Sequence, residues 1–133
     1  MSTRESILAA VATALAGVAG GRIYRTRREQ LGTLPAIIIE PQSERADEAV
    51  LGRTDRSLDV AINVYAKGDT PDTAADATLA AAWSALAAAP ALGLGNDVQL
   101  RMAHEVDWEF EDFDMARALL RVTIDYRTTT GSM

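Results

Sequence analysis

His104 is the lone histidine of a 133-residue chain and opens an acidic run, HEVDWEFEDFD, at positions 104–114. Histidine titrates near neutral pH, so a single one in a carboxylate-rich stretch invites a reading as general base. Its neighbours at two-residue spacing are Met102 and Val106, which places it on the inward face of a strand. A histidine held there by one satisfied hydrogen bond is expected in preference to a catalytic base. The carboxylates of the run also alternate, and along an extended strand they stand about 7 Å apart, too far to converge on one Ca²⁺ or Mg²⁺. With no cysteine in the sequence, disulfides, thiolate nucleophiles and cysteine metal sites are excluded, which fits a cytosolic chain. No serine lies in a G-x-S-x-G elbow, no phosphate-binding G-x-x-x-x-G-K-[ST] loop occurs, and G-L-G at 93–95 lacks the strand context of a dinucleotide fingerprint. The expectation is a protein with no catalytic residue, no metal and no cofactor.

A second constellation is GGRIYRTRREQ at 20–30, where Arg22, Arg25, Arg27 and Arg28 surround Ile23 and Tyr24. Three readings apply. The cluster is a solvated strand and turn, or a nucleic-acid patch, or a contact with another subunit. A nucleic-acid patch calls for interleaved aromatics and a basic domain, whereas this chain has 13 cations against 19 carboxylates, a formal net charge of −6. A subunit contact would set these arginines against an acidic edge formed by Glu105, Asp107, Glu109 and Glu111 of a neighbour. Twelve of the 13 cations are arginine, whose planar fork suits bidentate pairing at interfaces. Opposed patches on one chain suit a head-to-tail contact that closes into a ring.

The elements that must position these residues follow from periodicity. The hydrophobic fraction is 48% and the charged fraction 24%, ordinary for a single folded domain of this length. Ser2 and Glu5 have capping-box spacing, and Ile7, Leu8, Val11, Leu15 and Val18 recur at helical intervals up to the glycines at 17, 20 and 21. A short strand is expected over 22–27 and a buried one over 36–40, closed by Pro41. Residues 41–56, PQSERADEAVLGRTDR, lack a clear period and read as a long charged loop, with Glu44, Arg45, Asp47, Glu48, Arg53 and Arg56 facing a partner. Residues 57–66 then alternate, with Leu58, Val60, Ile62 and Val64 opposite Asp59, Asn63 and Tyr65.

Thr70 and Pro71 start a second helix, alanine-rich, with Leu79, Trp83 and Leu86 as its apolar stripe, ending at Pro90. Residues 98–110 and 117–127 read as an antiparallel hairpin. Val98 to Phe110 and Ala118 to Tyr126 supply one apolar face; acids on the first strand and arginines on the second supply the other, so cross-strand ion pairs are expected. The predicted fold is one α+β domain over 1–133, a largely antiparallel sheet of about five strands flanked by two helices. No signal peptide and no membrane span is expected, because no long uncharged run occurs.

Strings within these elements carry a resemblance. R-E-S-I-L in the first helix, R-I-Y-R-T-R-R-E-Q-L before L-P-A-I-I-I, R-S-L-D-V-A-I-N-V-Y-A, D-T-P-D-T-A-A-D with W-S-A-L, and the closing D-Y-R-T-T-T-G together resemble the tail terminator proteins of long-tailed bacteriophages, the lambda-type minor tail protein family. The resemblance implies a structural protein of a phage or prophage, assembled in the host cytoplasm and resident in the virion tail. It implies a homo-hexameric ring at the head-proximal end of the tail tube, partnered by the major tail tube protein and a head-completion or connector protein. Such a ring ends tube polymerisation, offers a surface for head joining and lets DNA pass without specific binding. An alternative from another class is a small α+β ligand-binding or enzymatic domain with a pocket near Trp83, His104 and Trp108.

Overall fold

The computed structural model describes residues 3–25, 33–50, 52–95, 97–112 and 114–129; of residues 48–50, 102–104, 111, 112 and 129 it describes the backbone alone. The expected cap at Ser2 lies outside this set. Helix α1 covers Thr3–Ala14 and buries Ile7, Leu8 and Val11, the positions its periodicity selects. A tight turn over Ala19–Gly21 follows, with Gly20 at φ 62. This left-handed backbone suits glycine, which alone adopts it without a Cβ penalty.

Five strands make one sheet. They are β1 (Ile23–Tyr24), β2 (Ala36–Val50), β3 (Arg53–Lys67), β4 (Val98–Asp112) and β5 (Met115–Thr129), in the order β1-β2-β3-β5-β4. β1 runs parallel to β2, and every other pairing is antiparallel. Helix α2, Pro71–Ala87, carries the chain from β3 to β4. It packs over β3 and β5, with α1 beside it over β2.

The core lies between this helical layer and one sheet face. Ile37, Ile39, Val60, Ile62, Val64, Leu120, Val122 and Ile124 meet Ile7, Val11, Leu79 and Leu86 there. The opposite face is polar over most of its length. Toward β2 and β3 it buries Ala36, Ile38, Ala61, Asn63 and Tyr65, with Leu119 beside them on β5. The expected α+β class, largely antiparallel sheet and two helices are what the chain adopts.

Three expectations need correction. The expected loop over 41–56 is sheet: β2 continues to Val50 and β3 begins at Arg53. At 15 residues each, these strands extend about 50 Å, and Gly52 at φ 80 turns between them. Pro41 does not close the strand, because it occupies an irregularity where pairing shifts between Pro41 and Ser43; an edge strand tolerates proline at such a bulge. Trp83 is not on the buried stripe of α2. Pro71, Ala75, Thr78, Leu79, Ala82 and Leu86 form that stripe, and Trp83, about 100° round the helix from Ala82, is 38% exposed. The aromatic end of β4 is not core either. Trp108 and Phe110 pair with Ala118 and Ala116 on the helix-bearing face, but at the sheet's outer edge, beyond α2, they are 42% and 61% exposed.

Candidate functional site

The arginine cluster begins just after the Ala19–Gly21 turn. Arg22 donates from Nε to the Pro35 carbonyl at 2.8 Å. Arg25 grips Glu5 of α1 with two bonds, 2.9 and 3.1 Å, and this hydrogen bonding, with the guanidinium charge, holds the Glu5 carboxyl below its usual range. Arg27 and Arg28 lie outside the described residues.

On the far edge, β4 and β5 form the expected cross-strand ion pairs. Arg121 meets Asp107 at 2.5 Å and Glu105 at 3.8 Å, and Arg117 binds Glu109. Three carboxylates of the acidic strand are thus engaged within their own chain, by two arginines. For Glu111 only the backbone is described. The same holds for His104, which falls where β4 gains two residues relative to β5, between Met102 and Val106. Because that insertion is even-numbered, Val106, opposite Leu120, stays on the helix-bearing face.

The long β2–β3 hairpin brings together residues the sequence reading had placed in a loop. The one-residue slip at Pro41–Ser43 moves Glu44 to the helix-bearing face, opposite Leu58. There Glu44 accepts from Arg4 at 2.6 Å and from Arg56 at 3.3 Å, and also from the Tyr126 hydroxyl. Arg56 donates from Nε to the Thr128 hydroxyl at 3.1 Å. Burial pushes the Glu44 carboxyl up, but the bonds from Arg4 and Tyr126 and the nearby guanidinium charges outweigh it, leaving the group below its usual range. Burial and the bond to Glu44 push the Tyr126 hydroxyl up to about 12.

On the polar face Asp59 gathers Ser43 and Arg45 at 3.0 Å and Thr123 at 2.8 Å. Arg127 closes on Asp55 at 2.6 Å, and Asp125 holds Ser57 and Arg101, each at 2.6 Å. Nearer the hairpin tip, Asp47 and Arg53 are exposed; the Glu48 side chain is outside the described set. Of the six residues expected to face a partner, Glu44 and Arg56 tie the hairpin to α1 and β5, and Arg45 pairs with Asp59 across the hairpin itself. Nothing in their local spacing signals this, since Arg4 and Tyr126 lie 40 and 82 residues from Glu44.

Among the described residues, two grooves bear on the candidate surfaces. One of about 450 Å³ lies where β5 outruns β4, lined by Asp55, Arg56, Ser57, Asp97, Gln99, Asp125, Tyr126 and Arg127. The other, about 410 Å³, lies between the start of α2 and the aromatic end of β4, lined by Asp72, Thr73, Asp76, Trp108 and Phe110. Trp83 lines neither of these grooves, and the His104 side chain of the expected pocket near Trp83, His104 and Trp108 lies outside the described residues. Among the described residues no group of three histidine, aspartate or glutamate side chains is placed to hold a metal, and no helix is long and apolar enough to cross a membrane. Paired charges, exposed rings and unenclosed grooves make surfaces for contact with other macromolecules.

Residues 5–131 match the family described as tail completion protein gp17. The chain belongs to that family. The resemblance to phage tail proteins stated from the sequence is borne out, and the chain is a structural protein of phage tails. Among solved structures, a chain of the particle titled "Virion of native gene transfer agent (GTA) particle" is similar in fold, with a TM-score of 0.70 and 21% identity over 92% of this chain and 95% of that one. No curated protein matches the sequence. As a tail completion protein it uses its charged residues, so far as they are described, mainly to hold the sheet and α1 together.

Proposed function

We propose that this tail completion protein is a tail terminator: it assembles as a ring, a hexamer by our reading, on the head-proximal end of the tail tube. There it ends tube polymerisation and presents the surface to which the head connector joins. The observation that carries the reading is the family match over residues 5–131. The molecule's form supports it. A sheet about 50 Å long offers contact area far beyond what its small core requires, and its two outer edges, at β1–β2 and at β4, face opposite ways.

The hairpin tip, with Asp47 and Arg53 exposed and Glu48 beside them in sequence, is the part offered to the tube or to the next subunit. The segment Arg22 to Arg28 and the acidic strand from Glu105 to Glu111 are the proposed lateral surfaces. A net charge of −6 opposes adhesion of DNA threading the ring.

Sedimentation and native mass measurement, alone and with the tube protein, test the assignment. The expected result is a closed oligomer or stable capping of tube ends. A strict monomer that binds no tube end over a wide concentration range contradicts it.

A further inference from the structure

The strand registers set the two edges of the sheet at one height. Ile23 pairs with Ile37, Ile37 with Val64, Val64 with Ala118 and Ala118 with Trp108, so one row crosses all five strands. The adjacent row runs Tyr24, Ile38, Asn63, Leu119 and Asp107. β1, where the arginine segment begins on one edge, is therefore level with the aromatic end of β4 on the other.

Charge divides the same way. Residues 22–28 hold four arginines and no carboxylate, whereas residues 67–76 and 105–121 hold nine of the 19 carboxylates and three of the 13 cations. Those two acidic segments account for the whole formal charge of −6. Glu105, Asp107 and Glu109 are engaged by Arg121 and Arg117. Asp72 and Asp76 are exposed on α2 and have no ion pair among the described residues. Asp72 sits in the first turn of α2, where the helix dipole favours an acid; Asp76, one turn on, gains no such benefit and repels Asp72 mildly. They share a groove with the exposed rings of Trp108 and Phe110.

Building on the ring reading above, we propose that Asp72, Asp76, Trp108 and Phe110 form the groove that receives the arginine segment 22–28 of a second copy. A guanidinium has the chemistry for this groove, because its plane stacks on an aromatic face while its fork pairs with a carboxylate. Within the segment Arg22 and Arg25 have partners in their own chain, and Arg27 and Arg28 supply the remaining two charges. Because β1, which opens the segment, shares a row of the sheet with Trp108, edge-to-edge copies bring the two together, and a head-to-tail contact of this kind forms a ring where its rotation closes.

The test uses the full chain carrying Trp83→Phe, which leaves Trp108 as the sole tryptophan reporter, titrated with a synthetic peptide of residues 20–30. The expected result is a saturable change in Trp108 emission, weakened about tenfold when Asp72→Asn and Asp76→Asn are combined. The change should be absent for a peptide with glutamine at 27 and 28. No saturable change, or equal affinity for the doubly substituted chain or the glutamine peptide, overturns the proposal. Sedimentation separates the two claims: rings that form unchanged from the Asp72→Asn, Asp76→Asn chain sink this groove and leave the ring standing. Peptide binding by a chain that never forms rings or caps tubes sinks the ring reading instead.

Discussion

Glu44 ties α1, β2, β3 and β5 together, accepting from Arg4, Arg56 and Tyr126 at one half-buried point. Replacing it with glutamine removes the charge that Arg4 and Arg56 share, and should cost about 1.5–3 kcal/mol by urea denaturation. Its pKa lies below the ordinary value, so its contribution is complete above the unfolded value of 4.5 and is lost as pH falls through the lower folded value. Tyr126 behaves oppositely. Its hydroxyl is raised from 10 to about 12, so its contribution is intact below pH 10 and declines as pH rises toward 12. Tyr126→Phe should flatten the alkaline fall in melting temperature over that window; an unchanged slope would show that another group causes it. The pairs of Arg117 and Arg121 with Glu109 and Asp107 were legible because two adjacent strands alternate in opposite sign. The Glu44 cluster was not, because its members are distant in sequence and each is unremarkable locally.

At the scale of elements, apolar alternation located β3, β4 and β5 where one face is core. It failed over 41–56 because that arm of the hairpin is held by Asp59, Asp55 and Glu44 and their partners, which leave no apolar period to read. Gly52, at φ 80 with open space around a built Cβ, is the one turn signal in that stretch. Gly52→Ala should destabilise the protein by about 1–2 kcal/mol through backbone strain alone, measured by thermal denaturation. On α2 the stripe was misread by one residue at Trp83, since positions 79, 83 and 86 fit a helical interval as well as 79, 82 and 86 do. Leu86, fully buried, should cost about 2–5 kcal/mol on truncation to alanine, and Trp83→Ala under about 1 kcal/mol. Equal losses would mean that Trp83 packs against something other than solvent.

For the whole molecule, the resemblance in the sequence reached the tail before any coordinate did, because it drew on the order of elements. The surfaces themselves were less legible. Glu105, Asp107 and Glu109 of the acidic strand share two arginines of their own chain, and the exposed rings of Trp108 and Phe110 look like core in the sequence because their alternation matches that of Val98 and Leu100. A lateral contact between an arginine segment and an acidic corner is electrostatic in part, so assembly should weaken from low salt to 0.5 M salt as screening shortens the reach of charge to a few ångströms. Sedimentation across a salt series reads this directly, and salt-independent assembly would point to an apolar contact. Capping of the tail tube, the proposed function, is read from tail lengths in particles made without this protein. Tubes of irregular, extended length that do not join heads are expected; joined tails of normal length would mean that the tube is ended by something else.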